Sequence, residues 1–190
     1  LLILWAEFVN GWTDAPNAIA TVVSTRVMKP GQAVIMASVF NLIGVLVAGT
    51  VVATTIGKNI IDPSMVNLTT IGAAMLGIII FSTVAWYFGL PTSESHALIS
   101  GLAGAGIAQA GVDVLVWAGW KKVLIGLGFS TFMGFGGGLL LMLLLYYIFQ
   151  NVAVGKIRRV FGKLQALYAA FMAFSHGTND GQKFIGVFAL

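Results

Sequence analysis

The sequence predicts an all-α, polytopic membrane protein, and three observations carry that reading. Only 8% of its 190 residues are charged and 58% are hydrophobic, against about 25% charged in a soluble domain. Apolar runs of about 20 residues follow one another, each long enough to cross roughly 30 Å of hydrocarbon. Two of those runs are interrupted by polar motifs with a carboxylate in them. A β-barrel would show alternating segments of about 10 residues, and none is seen. With no cysteine there is no disulfide framework, thiolate metal site or cysteine nucleophile. The net charge of +4 does not point to nucleic acid, because basic residues in such a chain set loop orientation.

The first span is expected over about Leu1–Met28, interrupted at Gly11–Asn17 and closed by Lys29-Pro30, since proline cannot continue the hydrogen-bond ladder. No basic stretch precedes Leu1–Leu4, so it does not read as a cleaved signal peptide. A second span covers about Gln32–Ile56 and ends in a loop marked by Lys58, Asp62 and Pro63. A third runs over about Leu68–Phe88, where Trp86 and Tyr87 suit a membrane interface. "LPTSESHALISGLAGAGIAQAG" is a polar turn leading into a small-residue helix, and "VDVLVWAGWKK" is a short connector. About Val123–Phe149 forms another span. "GKIRRVFGK" is a basic loop, and about Leu164–Leu190 is a last span, interrupted at "SHGTNDGQK".

The chain divides into a first transmembrane repeat (1–150), a basic cytoplasmic loop (151–163) and the start of a second, inverted and truncated repeat (164–190). It opens without Met and stops inside an apolar run, as expected of a fragment. With Arg26, Lys29, Lys156, Arg158, Arg159 and Lys163 inside, six of ten basic residues are cytoplasmic, as the positive-inside rule requires. That places Leu1 outside. Five crossings then precede Lys156 if the segment after Pro91 crosses; if it is a re-entrant hairpin, a further crossing lies within Val112–Phe149.

Shifting the chain by 166 positions aligns "FVNGWTDAPNAI" with "FSHGTNDGQKFI", superposing Phe8 on Phe174, Gly11 on Gly177, Asp14 on Asp180 and Ile19 on Ile185. Two Gly-broken membrane segments entering from opposite sides are the pattern of inverted repeats, which bind their cargo at discontinuous helices near the midplane. A carboxylate there costs roughly 2.5–3.5 kcal/mol on insertion scales. Asp14 and Asp180, with unwound carbonyls, suit a cation such as Na⁺ or H⁺. Thr92, Ser93 and Ser95 crowd hydroxyls at a helix start that needs only one cap, for which Ser93 is suited. Hydroxyls and helix N–H groups replace the hydration shell of a tetrahedral oxyanion without a fixed positive charge, so the anion can be released.

"NGWTDAPNAIATVVSTRVMKP", "YFGLPTSESHALISG" and "FSHGTNDGQKFIG" together resemble the three corresponding motifs of the PiT family of inorganic phosphate transporters, its bacterial branch above all. The resemblance runs through essentially the whole chain; the family's second proline–hydroxyl–histidine motif is absent. It implies inverted repeats and a symporter of inorganic phosphate with Na⁺ or H⁺, working by alternating access in the bacterial cell membrane. By position, Thr92, Ser93, Ser95, Asn17, Asn179 and Lys183 would meet phosphate, and Asp14 and Asp180 the coupling ion. Thr13 departs from the Asn, and Glu94 from the hydroxyl, that many members carry. Glu94 is grouped with the coupling carboxylates, beside two other readings: a protonated acid, or a side chain that faces away.

His96 and His176 are weighed as proton relays, since their pKa lies near neutrality, against simple hydrogen-bonding duty. Lys183 suits either a substrate charge partner or the counter-ion of Asp180, and Glu7 lies one turn before Gly11, near the ion site or an outer vestibule. No metal ligand is expected beside either histidine, no resident cofactor is implied, and Gly101, Gly104, Gly106 and Gly134–Gly138 read as close-packing positions. The partners implied are phosphate, a coupling cation, the lipid bilayer and further copies of the chain in a homo-oligomer; nucleic acid is not among them. A sulfate permease of the same family, an anion channel and, with least support, a membrane enzyme are the alternatives.

Overall fold

The computed structural model describes residues 1–47 and 49–190. Among them there are helices and no strands. In order these are α1 (Leu2–Thr13), the 3-10 turn (Ala15–Ala18), α2 (Ala20–Ser24), α3 (Pro30–Val47), α4 (Val51–Asn59), a short 3-10 segment (Pro63–Met65), α5 (Leu68–Tyr87), α6 (Glu94–Ala110), another short 3-10 segment (Val112–Val114), α7 (Trp117–Phe149) and α8 (Val154–Phe188). Pro30–Val47, Leu68–Tyr87 and Trp117–Phe149 are each long and apolar enough to cross a membrane.

Helix α8 is the hub. It packs along α3 and α4, and also touches α1, α2 and the 3-10 turn; α1 in turn packs on α5, and α5 on α6. One apolar core joins Ala6 of α1, Ile56 of α4, Met75 and Ile78 of α5, Leu98 and Leu102 of α6, and Phe184 and Val187 of α8. A second, smaller core holds Ile19 and Val22 against Ala33 and Ala37 of α3 and Ala169 and Ala173 of α8.

Glycines set the closest approach. A side chain at Gly44 would meet the backbone of Phe174 and Thr178, and one at Gly177 would meet the backbone of Asn41. Gly181 faces Val45, and Gly186 faces Ala53 and Ile56. Apolar helices gain no hydrophobic drive from lipid, so backbone-to-backbone packing of small residues is what holds such pairs together. Gly101 and Gly106 do pack closely, on α5 and on Val114 respectively, as the sequence suggests. Gly104 and Gly134–Gly138 have open space around them instead, and no part of the apolar window of α7 is buried.

Several boundaries differ from the sequence expectation. Pro30 opens α3 rather than closing the first span, because proline at the first helical position loses no hydrogen bond. The preceding turn is made by Arg26 at φ 58°, with Val27 and Met28 donating to Val22 O. The expected second span, Gln32–Ile56, is two helices, and Ala48 within it lies outside the described residues. Trp117, Trp120, Lys121 and Lys122 are helical, giving α7 33 residues, or about 50 Å at 1.5 Å per residue. The basic segment is also helical: Lys156, Arg158, Arg159 and Lys163 lie in the first turns of α8, where Lys and Arg are good helix formers.

The loop after α4 is pinned to the start of α7. Asp62 N donates to Val114 O at 2.8 Å and Trp120 Nε1 donates to Ile60 O at 3.1 Å. At the start of α5, Asn67 Oδ1 accepts from Thr70 N at 3.0 Å and Thr70 Oγ1 at 3.1 Å. Replacing Asn67 with alanine is expected to cost about 0.5–2 kcal/mol. A thermal unfolding midpoint in detergent that does not fall would show that the cap is unimportant.

Candidate functional site

The first polar motif does break its helix, at Asp14 rather than at Gly11. Pro16 has no N–H to give to Trp12 O, and its ring would clash with that carbonyl in a continuing helix. The chain therefore tightens into the 3-10 turn after Asp14. Asn17 N donates to Asp14 O at 3.0 Å, and Asn17 Nδ2 donates to Asp14 Oδ1 at 2.8 Å. The amide of Asn17 thus holds the carboxylate at the break.

The second motif does not break: α8 runs unbroken from Val154 to Phe188. It contains no proline, and the glycines of the motif face α3, where they serve contact rather than bending. Several of its polar side chains are satisfied within the helix or beside it. Thr178 Oγ1 donates to Ser175 O at 2.7 Å and Asn179 Nδ2 donates to Ser175 O at 2.9 Å. Gln182 Oε1 accepts from Val52 N at 2.9 Å, supplying a partner to the open N-terminus of α4.

An unbroken helix puts His176, Asp180 and Lys183 on one face, at spacings of four and three. The Lys183 ammonium pairs with Asp180 Oδ1, and His176 Nδ1 lies 3.2 Å from Asp180 Oδ2. Across the gap, His176 Nε2 is 3.9 Å from Asp14 Oδ2. Asp14 and Asp180 thus stand on either side of the His176 imidazole, 3.9 Å and 3.2 Å from its two nitrogens. Contrary to the sequence expectation, His176 has a carboxylate at helical spacing, and Asp14, His176 and Asp180 each offer one ligand atom within 4.8 Å of the others. The spacing is visible in the sequence; reading the segment as broken hides it.

Beside this cluster is a cavity of about 340 Å³, walled by α1, the 3-10 turn, α3 and α8. Glu7, Asn10, Pro16, Asn41, His176 and Asp180 line it. Asn10 Nδ2 donates to Glu7 Oε2 at 3.4 Å, but Asn10 Oδ1 and His176 Nε2 are buried without a hydrogen-bond partner. Each such atom costs about 1–3 kcal/mol if left unpaired. A water's share of liquid volume is about 30 Å³, so the space holds an ion with part of its hydration shell. Glu7 thus lies at the aspartate cluster rather than apart from it. Asn10 is one of the polar residues of the first motif to which the sequence reading gives no role; its signal there is an amide one turn before the break.

The hydroxyl turn stands on the other side of α1. Ser93 caps α6, accepting from His96 N at 3.4 Å, and Ser95 is half-buried in the first turn of that helix. Thr92 shares a cavity of about 220 Å³ with Thr13 and Asn17, so the turn and the helix break face a common space. Thr92 and Ser93 also line a cavity of about 580 Å³ with His96 and Ser100. His96 is exposed and makes no ion pair among the described residues, and Asn179 is exposed on α8. Glu94 is buried, accepting from Thr13 Oγ1 at 3.0 Å and Ser82 Oγ at 2.7 Å. The structure thus gathers Asp14, His176, Asp180 and Lys183 in one cluster, and Thr13, Asn17 and Thr92 around a separate cavity.

The family model described as the phosphate transporter family matches residues 10–190. A probable low-affinity inorganic phosphate transporter of Rhizobium meliloti (strain 1021) is 43% identical over 187 residues, covering 98% of this chain and 56% of the relative. The protein of the same description from Bacillus subtilis (strain 168) is 39% identical over 97% of this chain and 56% of its own length. The low-affinity inorganic phosphate transporter PitA of Escherichia coli (strain K12) is 36% identical over 99% of this chain and 44% of its own. The chain spans about half the length of these curated relatives. Among solved structures, one described as the sodium-dependent phosphate transporter has the same fold, with a TM-score of 0.72 at 18% identity, covering 99% of this chain and 58% of that one.

Proposed function

The chain belongs to the phosphate transporter family, and on that premise we propose that it forms one half of a secondary transporter carrying inorganic phosphate together with Na⁺ or H⁺. The observation that supports this reading is the meeting of Asp14, His176 and Asp180 beside a broken helix, with Asn10 Oδ1 and His176 Nε2 buried without hydrogen-bond partners next to one cavity. Buried polar atoms are mostly paired in a structural core, so unpaired ones beside a cavity fit a place for cargo. Asp14 and Asp180 hold the coupling cation, and Thr92, Ser93 and Ser95 meet phosphate with hydroxyls and the free N–H groups at the start of α6.

The chemistry calls for coupling. Each negative charge moved inward against 100 mV costs about 2.3 kcal/mol, so a phosphate dianion meets roughly twice that, and one or more cations offset it. Lys183 is the standing counter-ion of Asp180, which leaves Asp14 as the carboxylate nearer to a mobile charge. If H⁺ is the coupling ion, His176 would pass a proton between the two aspartates, a role its 3.9 Å and 3.2 Å distances to them support.

The test is phosphate uptake into proteoliposomes by the full-length protein. Asp14→Asn removes one charge-assisted contact of about 1.5–3 kcal/mol. The expected result is an apparent ion affinity lower by about 10–100-fold, at about 1.4 kcal/mol per tenfold. Uptake with wild-type ion dependence in that variant would refute the role of Asp14.

A further inference from the structure

Glu94 is a fully buried carboxylate that no positive group accompanies. It is 2% exposed, and among the described residues no Lys, Arg or His makes an ion pair with it. Its two oxygens are divided between two helices. Oε1 accepts from Thr13, the last residue of α1 before the break, and Oε2 accepts from Ser82 of α5. Glu94 itself is the first residue of α6, flanked by Ser93 and Ser95 of the hydroxyl turn.

We propose that Glu94 is a positioning residue: it ties the broken end of α1, and so Asp14, to the hydroxyl turn that opens α6, using Ser82 of α5 as its anchor. Three elements meet at one carboxylate. Thr13 is adjacent in sequence to Asp14, and Thr92 and Ser93 precede Glu94, so this tie sets the distance between the ion side and the anion side of the site. Thr13 Oγ1 also lies 2.9 Å from Val9 O, so its single proton is shared between that carbonyl and Glu94 Oε1 at 3.0 Å. Ser82 is 0% exposed and is held by the core of α5, so the anchor is the fixed end of the tie. Thr13 and Glu94 touch directly, hydroxyl to carboxylate, at 3.0 Å. A carboxylate at position 94 fits a hydroxyl at position 13, because one accepts what the other donates.

The proposal rests on the transport reading, and its test separates the two. Phosphate uptake is measured with the full-length protein and its Glu94→Ala, Glu94→Gln, Thr13→Val and Thr13→Val/Glu94→Ala variants, each normalised to folded protein. The amide of Gln accepts from one hydroxyl and donates to the other, so it keeps the tie and removes the charge. Loss of the tie is expected to raise the KM for phosphate about tenfold in Glu94→Ala, the scale of one hydrogen bond to a charged group. Thr13→Val shows a similar rise, and the double variant is no worse than Glu94→Ala. Glu94→Gln stays within about threefold, with its ion dependence intact, on the strength of a retained neutral hydrogen bond.

Loss of ion stimulation in Glu94→Gln would make Glu94 a coupling carboxylate and overturn the proposal. Additive effects of Thr13→Val and Glu94→Ala would overturn it as well. If the unaltered protein takes up no phosphate, the transport reading fails. The tie is then judged by spin-label distances between Phe8→Cys on α1 and Ile107→Cys on α6. A distribution that broadens with Glu94→Ala but not with Glu94→Gln supports it, and one unchanged by Glu94→Ala refutes it.

Discussion

Asp180→Asn is expected to destabilise the protein by about 3–5 kcal/mol, the usual result of removing one partner from a buried ion pair. Lys183 is 6% exposed and its ammonium is paired with Asp180 Oδ1. With asparagine opposite, the charge stays buried and its partner is gone. The penalty is for the stranded ammonium more than for the lost attraction, so a second change identifies it. Asp180→Asn/Lys183→Met replaces the pair by neutral groups and is expected to recover most of the lost stability in a thermal unfolding experiment. It does not recover ion-driven uptake, since the carboxylate is still missing. A double variant as unstable as Asp180→Asn alone would show that the ion pair is not what holds this part of α8.

Gly177→Val carries the second large effect. Any Cβ at Gly177 runs into the backbone of Asn41, and Gly44 meets α8 in the same way one turn further along. Backbone has nowhere to move except by parting the helices. Overpacking costs about 1–3 kcal/mol where side chains can adjust, and more where they cannot. The separation opens the wall of the cavity that α3 and α8 share, so uptake is lost together with stability. Gly11, where an added Cβ would meet nothing within 4 Å, is the control. Gly11→Ala should unfold close to the unaltered protein, and equal losses at both positions would contradict the packing account.

What is legible in the sequence depends on local chemistry. Apolar length sets the helix class, Pro16 and Asp14 mark a real break, and Ser93 has the residue type and position of a cap. These need only neighbours in the chain. Gly177 and Gly181 mislead for a physical reason: glycine weakens an isolated helix by about 1 kcal/mol relative to alanine, yet in a membrane bundle it is the residue that lets another backbone approach. Which of the two applies depends on whether a partner helix is present. Helix α3 lies far before α8 in the chain, and no periodicity announces that they meet.

The site follows the same division. The i, i+4 spacing of His176 and Asp180 is available from the letters, and the i, i+3 spacing of Asp180 and Lys183 likewise. The bridge from His176 to Asp14 is not, because it needs the break in α1 to lie against an unbroken α8. Glu94 is the clearest case. As a letter beside three hydroxyls it suggests a charge near an anion; its partners Thr13 and Ser82 come from two other helices. Only the packing of α1 on α5 and of α5 on α6 turns it into a tie.

Whether the site at the α1 break moves phosphate with a cation is tested most directly by radiolabelled phosphate uptake. Proteoliposomes hold the full-length protein, and Na⁺ and pH gradients are imposed separately. Saturable uptake driven by one of the two gradients is expected, poorly competed by sulfate and lost in Asp180→Asn/Lys183→Met. Uptake indifferent to both gradients, or phosphate current without saturation, would contradict it.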